Sequence, residues 1–414
     1  MQKYSIKKVL NIQGYKIKSI EEQKTEKALY IQIVPYNRKK YICSFCGQQH
    51  KKGYSYKTET TARDLDIGEN KVYLKIIKRY YKCPVDNRIH IEKIEWLKPW
   101  SRVTKRFAYR TYQLTSITTN KEAGWYLGKD DEAIYRIDKD ILSELAKQRL
   151  EPPPAGKNIS VDEVSYRKYH RYLTNVVDAD ERKVIWNDKG RKAKILDRYY
   201  DAIGEESCKK IETVALDGAR TYISSTTKHA VNAKIVYDKF HIIQKLNNTV
   251  DAVRLLELNK ARKENNTELI KLTNCKQRFI LLKNKNKMTK NQKQYLEQLC
   301  EINKPIYEAM LLKESFLQIY SYTKILAASS HFVKWIRETE KSKLEAFKHL
   351  AKSFRSKFKY IMNWFKRKVS SAISEGINNK IKRLKRMAYG YKDIEYFKLK
   401  IHQHCGLLKP ENPY

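Results

Sequence analysis

Three acidic residues far apart in the chain, Asp162, Asp217 and Glu375, have the type and setting to converge on divalent metal ions. Magnesium and manganese take hard oxygen ligands and keep several waters, so two or three carboxylates from separate elements are enough to hold them. A pair of such ions about 3.5 to 4 Å apart clamps the attacking and leaving oxygens of an in-line displacement at phosphorus. Asp162 follows the alternating stretch Ile159 to Val161, and Asp217 closes the apolar run Ile211 to Leu216. Glu375 is the one acidic residue between Glu345 and Asp393, in a stretch (341–400) with 18 Lys and Arg against 4 Asp and Glu. Spacing alone leaves two readings of it: a third metal ligand, or a first-turn carboxylate that favours its own helix by about 0.3 to 1 kcal/mol. Asp238 closes the next apolar run and forms an Asp-x-x-His pair with His241. That pair is either a structural hydrogen bond beside the site or a direct contact to metal or nucleic acid, and in the second case Asp238 rivals Glu375.

A second set of residues suggests zinc. Cys43-Ser44-Phe45-Cys46-Gly47 has the form of one zinc-ribbon knuckle, two thiolates on one ion with a glycine for the tight turn. Cys83 follows the strand-like run Val72 to Tyr81, but the residue three further on is Asp86 where a second knuckle would carry cysteine. The expected set is Cys43, Cys46 and Cys83 with a fourth ligand from Asp86, His50 or His90; otherwise the site is degenerate. Seven cysteines, an odd number with only Cys43 and Cys46 closely spaced, suit a reducing compartment rather than a disulfide framework.

These residues need elements to position them. Pro152, Pro153 and Pro154, with Ala155 and Gly156, can be neither helix nor central strand, and they mark a linker at 151–157. Residues 1–97 read as short strands, such as Ala28 to Val34 and Lys71 to Lys82, with cysteines at their ends. Residues 98–150 read as helices with a break at Gly128 to Asp130. Thr119 to Leu127 and Asp131 to Leu142 then form either a helix-turn-helix or a plain helical hairpin, with Lys121, Lys129, Arg136 and Lys139 as DNA contacts and Asp131, Glu132, Asp138 and Asp140 opposing them. From 158 to 247 the order is strand, strand, strand, helix, strand, helix, strand: Ile159 to Asp162, Tyr172 to Val177, Lys183 to Trp186, a helix ending at Gly204, Ile211 to Leu216, Ala219 to Thr227, and Ala233 to Tyr237. That order is the ribonuclease-H-like topology, in which functional side chains gather at the carboxyl ends of strands. Residues 248–365 read as an all-α insertion, and 366–414 as a last amphipathic helix from Ser374, its N-cap, to Tyr389. The fold class is thus multidomain α+β: a zinc-ribbon-like domain, a helix-turn-helix region, and a ribonuclease-H-like α/β core interrupted by helices.

The balance of 86 Lys and Arg against 46 Asp and Glu, a formal charge of +40, calls for a polyanionic partner, with nucleic acid first. The clusters Lys366-Arg367-Lys368 and Lys382, Lys385 and Arg386, flanking Glu375, are candidate phosphate contacts, and Tyr389 and Tyr391 candidate base-stacking groups. No apolar run of membrane-spanning length and no signal-peptide core occurs, so the expected location is the bacterial cytoplasm, in association with the nucleoid.

Four motifs in order, Ile159-Ser160-Val161-Asp162-Glu163, Ala215-Leu216-Asp217-Gly218, Tyr237-Asp238-Lys239-Phe240-His241 and Ser374-Glu375-Gly376-Ile377-Asn378-Asn379, resemble those of the ISL3 family of insertion-sequence transposases, as does the closing Ala388-Tyr389-Gly390-Tyr391. The resemblance implies a DDE-type enzyme that binds the ends of its own element in double-stranded DNA and cuts and joins them with magnesium or manganese. Asp162, Asp217 and Glu375 would be its catalytic carboxylates, a zinc-binding N-terminal domain would help recognise the ends, and synapsis would require a homodimer or more. A different class, a transposase-derived DNA-binding protein without catalysis, would lack one carboxylate.

Overall fold

A computed structural model describes residues 3–36, 40–50, 57–97, 101–167, 171–274, 278–283, 288–366 and 372–411. The chain divides into two compact units, one of residues 1–145 with the last five residues, the other of residues 146–409. Among the described residues no helix is long and apolar enough to cross a membrane.

In the first unit, α1 (Lys3–Leu10) precedes seven strands: β1 (Tyr15–Gln23), β2 (Ala28–Pro35), β3 (Tyr41–Ile42), β4 (Gln49–His50), β5 (Lys57–Ile67), β6 (Asn70–Lys82) and β7 (Ile89–Ile91). The sheet order is β1-β2-β6-β5, with β7 paired to the far end of β6. Period-two alternation in β6 turns Val72, Leu74 and Ile76 inward against Ile31 and Ile33 of β2, Ala62 of β5 and Tyr15. Where the ladder ends, Arg79 and Glu92 are buried as a pair, Nη2 to Oε2 at 2.6 Å, and the Tyr15 hydroxyl donates to Glu92 at 3.2 Å. Removing either partner would strand the other charge in the core. The lone strands β3 and β4 form the small hairpin that carries Cys43 and Cys46.

Three helices follow, α2 (Lys105–Thr115), α3 (Asn120–Leu127) and α4 (Asp131–Arg149). The Thr104 side chain caps α2 while also donating to Asp64 of β5 at 2.7 Å, and Arg106 grips both oxygens of Asp64 at 2.6 Å. Thr119 and Glu122 close a reciprocal capping box on α3, and Gly128 ends it in the left-handed region. Asp138 is not among the groups facing outward from α4, as its sequence setting suggests: it is buried and accepts from Thr115 at 2.6 Å.

The second unit is built on a five-stranded sheet, β8 (Asn158–Arg167), β9 (Arg171–Asp178), β10 (Lys183–Lys189), β11 (Thr213–Leu216) and β12 (Lys234–Tyr237), in the order β10-β9-β8-β11-β12. β8, β9 and β10 are antiparallel neighbours, whereas β8, β11 and β12 run parallel. Parallel strands covered on both faces read as continuous apolar runs, as Val214 to Leu216 and Ile235 to Tyr237 do. One face packs on α5 (Ala193–Ile203) and α7 (Arg220–His229) through Leu196, Tyr199, Tyr200 and Tyr222, with the short α6 (Glu205–Lys209) adding Cys208. Gly204 does close α5 at positive φ, but with ψ 160° rather than in the left-handed helical well.

Between β12 and the return to the core come α8 (Lys239–Lys263), α9 (Thr267–Thr273), α10 (Arg278–Leu282), α11 (Lys290–Ile302), α12 (Lys304–Gln318), α13 (Ile325–Lys341), α14 (Glu345–Arg355) and α15 (Phe358–Lys366). They share one core in which Phe316 lies 4.8 Å from Trp335 and 5.0 Å from Phe354, ring centre to ring centre. Tyr237, the last residue of β12, belongs to this helical core, and Asn363 of α15 donates to the Ile235 carbonyl at 2.8 Å. The chain then covers the other face of the sheet with α16 (Ala372–Met387) and α17 (Ile394–Cys405), whose Ile377, Ile381, Leu384, Phe397 and Ile401 meet Val164, Leu173, Val177 and Val184. Ser374 is therefore inside α16 and does not cap it, and α17, unforeseen in the sequence, supplies half of this layer.

Truncating Phe316 to alanine should cost about 3–5 kcal/mol, since the ring is fully buried among aromatic neighbours that cannot collapse into the space. Urea unfolding of Phe316→Ala against the parent chain checks it, and a loss under about 1 kcal/mol would contradict this packing.

Candidate active site

Strand register is what gathers the acidic residues. β11 pairs with β8 through Thr213–Asn158, Val214–Ile159 and Ala215–Ser160, and with β12 through Val214–Ile235, Ala215–Val236 and Leu216–Tyr237. Continuing both registers past the strand ends sets Asp162, Asp217 and Asp238 in one row, on adjacent parallel strands about 4.8 Å apart. The chain turns away after Asp217 at Gly218, with φ 80°, where a Cβ would stand 2.5 Å from the Tyr237 ring. The Asp217 carboxylate steadies that turn by accepting from the Ala219 amide at 2.8 Å. Asp238 caps α8 by accepting from the Phe240 amide at 2.7 Å.

Asp162 is the most engaged of the three. Its carboxylate accepts from the Glu163 amide at 2.7 Å and from the Asn378 side-chain amide at 2.6 Å, and His241 Nε2 lies 3.9 Å away. His241 is also 3.8 Å from Asp238, so one imidazole bridges two members of the row. Burial pushes the Asp162 carboxyl above the ordinary range; the Glu163 amide and His241 oppose this, while Asp217 and Asp238 add to it. Burial also raises Glu163, against the hydrogen bond from Tyr222 at 2.8 Å and with the help of the Asp217 charge. Several carboxylates of one sign in a half-buried row disfavour their own ionisation, and a divalent cation is the usual remedy.

Glu375 arrives on α16, which docks on β8 through two polar contacts: Ser374 donates to Ser160 at 2.6 Å, and Asn378 holds Asp162. Glu375 lies between these two positions in sequence, on the exposed edge of the helix. Among the described residues, the three carboxylates are not drawn within 4.8 Å of one another; the trio of metal-ligating atoms that is so gathered is Cys43, Cys46 and Cys83. Sequence reasoning missed Asn378 and the Ser160–Ser374 contact, although Asn378 stands in a quoted motif three residues after Glu375, where helical spacing predicts a shared edge.

In the first unit, the Cys43 sulfur accepts from the Phe45 and Cys46 amides, both at 3.2 Å. Burial raises the Cys43 thiol, but hydrogen bonds from Tyr81 and those amides outweigh it and pull the pKa down to about 6. A thiolate so favoured is what a soft divalent ion requires. Asp86 lies beside Cys83 and is bound to His90 Nε2 at 2.6 Å and to the Arg88 amide at 3.1 Å, which hold its carboxyl below the ordinary range against burial. His90 in turn stacks on Phe45, centroids 4.9 Å apart. The side chain of His50 lies outside the described ones.

Of the basic candidates, Lys121, Arg136, Lys366, Lys382 and Arg386 are exposed. Lys139 lies along Tyr135, Lys385 donates to the Ser165 carbonyl at 3.3 Å, and burial followed by the Arg63 charge lowers Lys129. Arg367 and Lys368 lie outside the described residues. Tyr389 is fully exposed, but Tyr391 is stacked on Phe397 at 4.6 Å and serves packing rather than presenting a free ring.

Residues 159–401 match the family model for transposases of the DDE, ISL3 type. Residues 39–85 match the model for the zinc finger of the IS204, IS1001, IS1096 and IS1165 transposases, a span that ends just short of Asp86. Over 393 residues the chain is 28% identical to the transposase for insertion sequence element IS1001 of Bordetella parapertussis, covering 94% of this chain and 95% of that one. It is 27% identical over 356 residues to the transposase for insertion sequence element IS1557 of Mycobacterium tuberculosis, covering 80% of this chain and 78% of the other. With the first match spanning more than half of its length, from the strand of Asp162 past the helix of Glu375, this chain belongs to the ISL3 family of transposases.

Proposed function

We propose that this protein cuts the ends of an insertion sequence and joins them to new DNA, using Asp162, Asp217 and Glu375 as ligands of divalent metal on a ribonuclease-H-like core. The observation that carries this reading is the common level of Asp162 and Asp217 on adjacent parallel strands, with the helix of Glu375 docked against Asp162 through Asn378. The 3-2-1-4-5 strand order, with the first three strands antiparallel, supports the ribonuclease-H-like assignment. Bound magnesium or manganese would supply charge neutralisation at the phosphorus and an activated oxygen nucleophile. The chain's own residues hold the hard oxygens in place: Asn378 and the Glu163 amide fix the orientation of Asp162, and the Ala219 amide fixes Asp217. His241, between Asp162 and Asp238, is an accessory residue of that row.

The N-terminal unit fits an end-recognition role. Cys43, Cys46 and Cys83 would hold zinc, with Asp86 as fourth ligand once His90 yields its oxygen. α3 and α4, joined at Gly128, fit a helix-turn-helix, with Lys121, Arg136 and the more sheltered Lys129 and Lys139 toward phosphate; the inward turn of Asp138 removes one of the charges that would oppose DNA there. Joining two ends in one reaction calls for at least a homodimer. The site of action would be the DNA of the bacterial cytoplasm.

With a labelled element end and Mg²⁺, Asp162→Asn, Asp217→Asn and Glu375→Gln should each lower cleavage by at least about a thousandfold, roughly 4 kcal/mol of barrier, while still binding the end. Wild-type cleavage by any one of them removes that residue from the mechanism. The same Asp162→Asn change should raise the melting temperature in chelator at about pH 7.5. The sign follows from a folded pKa above the ordinary 3.8: the ionised form costs stability at neutral pH, and the advantage of Asn fades as pH falls through the folded pKa toward 3.8. An unchanged or lower melting temperature at neutral pH would contradict the crowding of the acidic row. Purified protein should carry close to one zinc per chain, lost in Cys83→Ser; less than about a tenth of an equivalent would end the zinc assignment.

A further inference from the structure

Two lysines of the helical insertion meet over one aromatic ring at the Asp217 end of the sheet. Lys245 of α8 places its Nζ 5.2 Å from the centre of the Tyr237 ring, and Lys357, in the turn before α15, places its Nζ 5.0 Å from the same centre. The charge of Lys245 acts on Lys357, as do those of Asp217 and Arg220. Among the described residues neither lysine has a carboxylate within 4.0 Å. Burial, and then the charge of Lys245, lowers the Lys357 pKa to about 8, as expected of a cation without its counter-ion.

The ring beneath them is fixed rather than adaptable. Tyr237 is buried at the end of β12 and pressed against Gly218, the residue after Asp217, and its hydroxyl has no hydrogen-bond partner among the described residues. Packing of two alkyl stems on a tyrosine would be satisfied with the ammonium groups pointing apart into solvent. Here both are half-buried and lie on the same ring, on the side of Asp217 away from the strand of Asp162. Two ammonium groups on one ring are compact point charges of the kind that binds the oxygens of a phosphodiester.

We propose that Lys245 and Lys357, braced on Tyr237, grip a backbone phosphate of the element-end DNA beside Asp217. This rests on the reading of Asp217 as a residue of the cleavage site. It gives the insertion a direct part in holding DNA, on the β12 side of the acidic row, while α16 approaches from the β8 side.

The test uses the full chain, a labelled element-end duplex and Mg²⁺, with Lys245→Met, Lys357→Met, the double variant and Lys357→Arg. Methionine keeps an apolar stem on the ring. Each single Met variant should need about tenfold more DNA to saturate cleavage, and the slope of log affinity against log salt should fall by about one per lysine removed, with Lys357→Arg close to the parent. A neutral methylphosphonate placed at successive positions near the cut should reproduce the loss at one position in the parent chain, and cost nothing more at that position in the double variant. Parent-like saturation and salt slope in the double variant would overturn the proposal. So would a methylphosphonate scan of the parent chain with no sensitive position near the cut, a result that does not depend on any variant folding. Asp217→Asn, run alongside, separates the two ideas: cleavage by it would sink the DDE reading, whereas its binding and salt slope still report on the lysine pair.

Discussion

Acidic groups of one sign repel, and holding three of them at one level of a sheet requires a backbone that cannot slip. In this chain the requirement is met by the parallel pairing of β8, β11 and β12, whose registers set Asp162, Asp217 and Asp238 side by side. A slip of one residue in any of the three would turn its aspartate to the opposite face and its apolar residues out of their layers. Both faces of the sheet are covered, by Leu196, Tyr199, Tyr200 and Tyr222 on one side and by Ile377, Ile381, Leu384, Phe397 and Ile401 on the other, so the register is locked from two directions. Burial and mutual repulsion still disfavour the ionised Asp162, and the structure answers with two oriented donors, a main-chain amide and the Asn378 amide, with His241 nearby.

The same economy recurs in the first unit, with other chemistry. Arg79 and Glu92 close the end of the β6 ladder as a hydrogen-bonded pair, and Asp64 ties the edge strand to the helices by accepting from Thr104 and Arg106. These buried charges each face an opposite charge at hydrogen-bonding distance, whereas the acidic row of the second unit sets like charges side by side. The contrast is informative, because ion pairs that serve architecture are satisfied within the chain, whereas a row that leaves like charges together is arranged for something brought from outside.

Much of this was legible in the residues. The succession of strands and helices along the second unit follows from alternation and from apolar runs that end in aspartate, and the three cysteines were identifiable from one Cys-x-x-Cys and a lone Cys83. The helical insertion showed in composition, through long stretches rich in Lys, Leu, Asn and Glu with few turn signals. What could not be read was direction across space. Asp138 looks like its acidic neighbours in sequence, yet it points inward, because a threonine on another helix awaits it. Ser374 has the right type for a cap, but a serine on β8 claims its hydroxyl. α17 carries two histidines and two lysines, so its apolar face is easily overlooked until the sheet is there to receive it. The lysine pair on Tyr237 is 112 residues apart along the chain, and no local pattern links its members.

Tyr237 has one further consequence. It is the last residue of a core strand and at the same time a member of the hydrophobic core of the inserted helices. The inserted helices α8 to α15 also lie, in the chain, between the third aspartate of the row and α16. Completion of the core sheet is thereby tied to the folding of the inserted helices, and α16 returns only after that detour. A nascent, truncated or misfolded chain would hold its aspartates without α16 and the Asn378 amide that orients Asp162. For a protein whose business is breaking DNA, this dependence works as a safety catch, delaying competence until the entire polypeptide has been made and has found its shape.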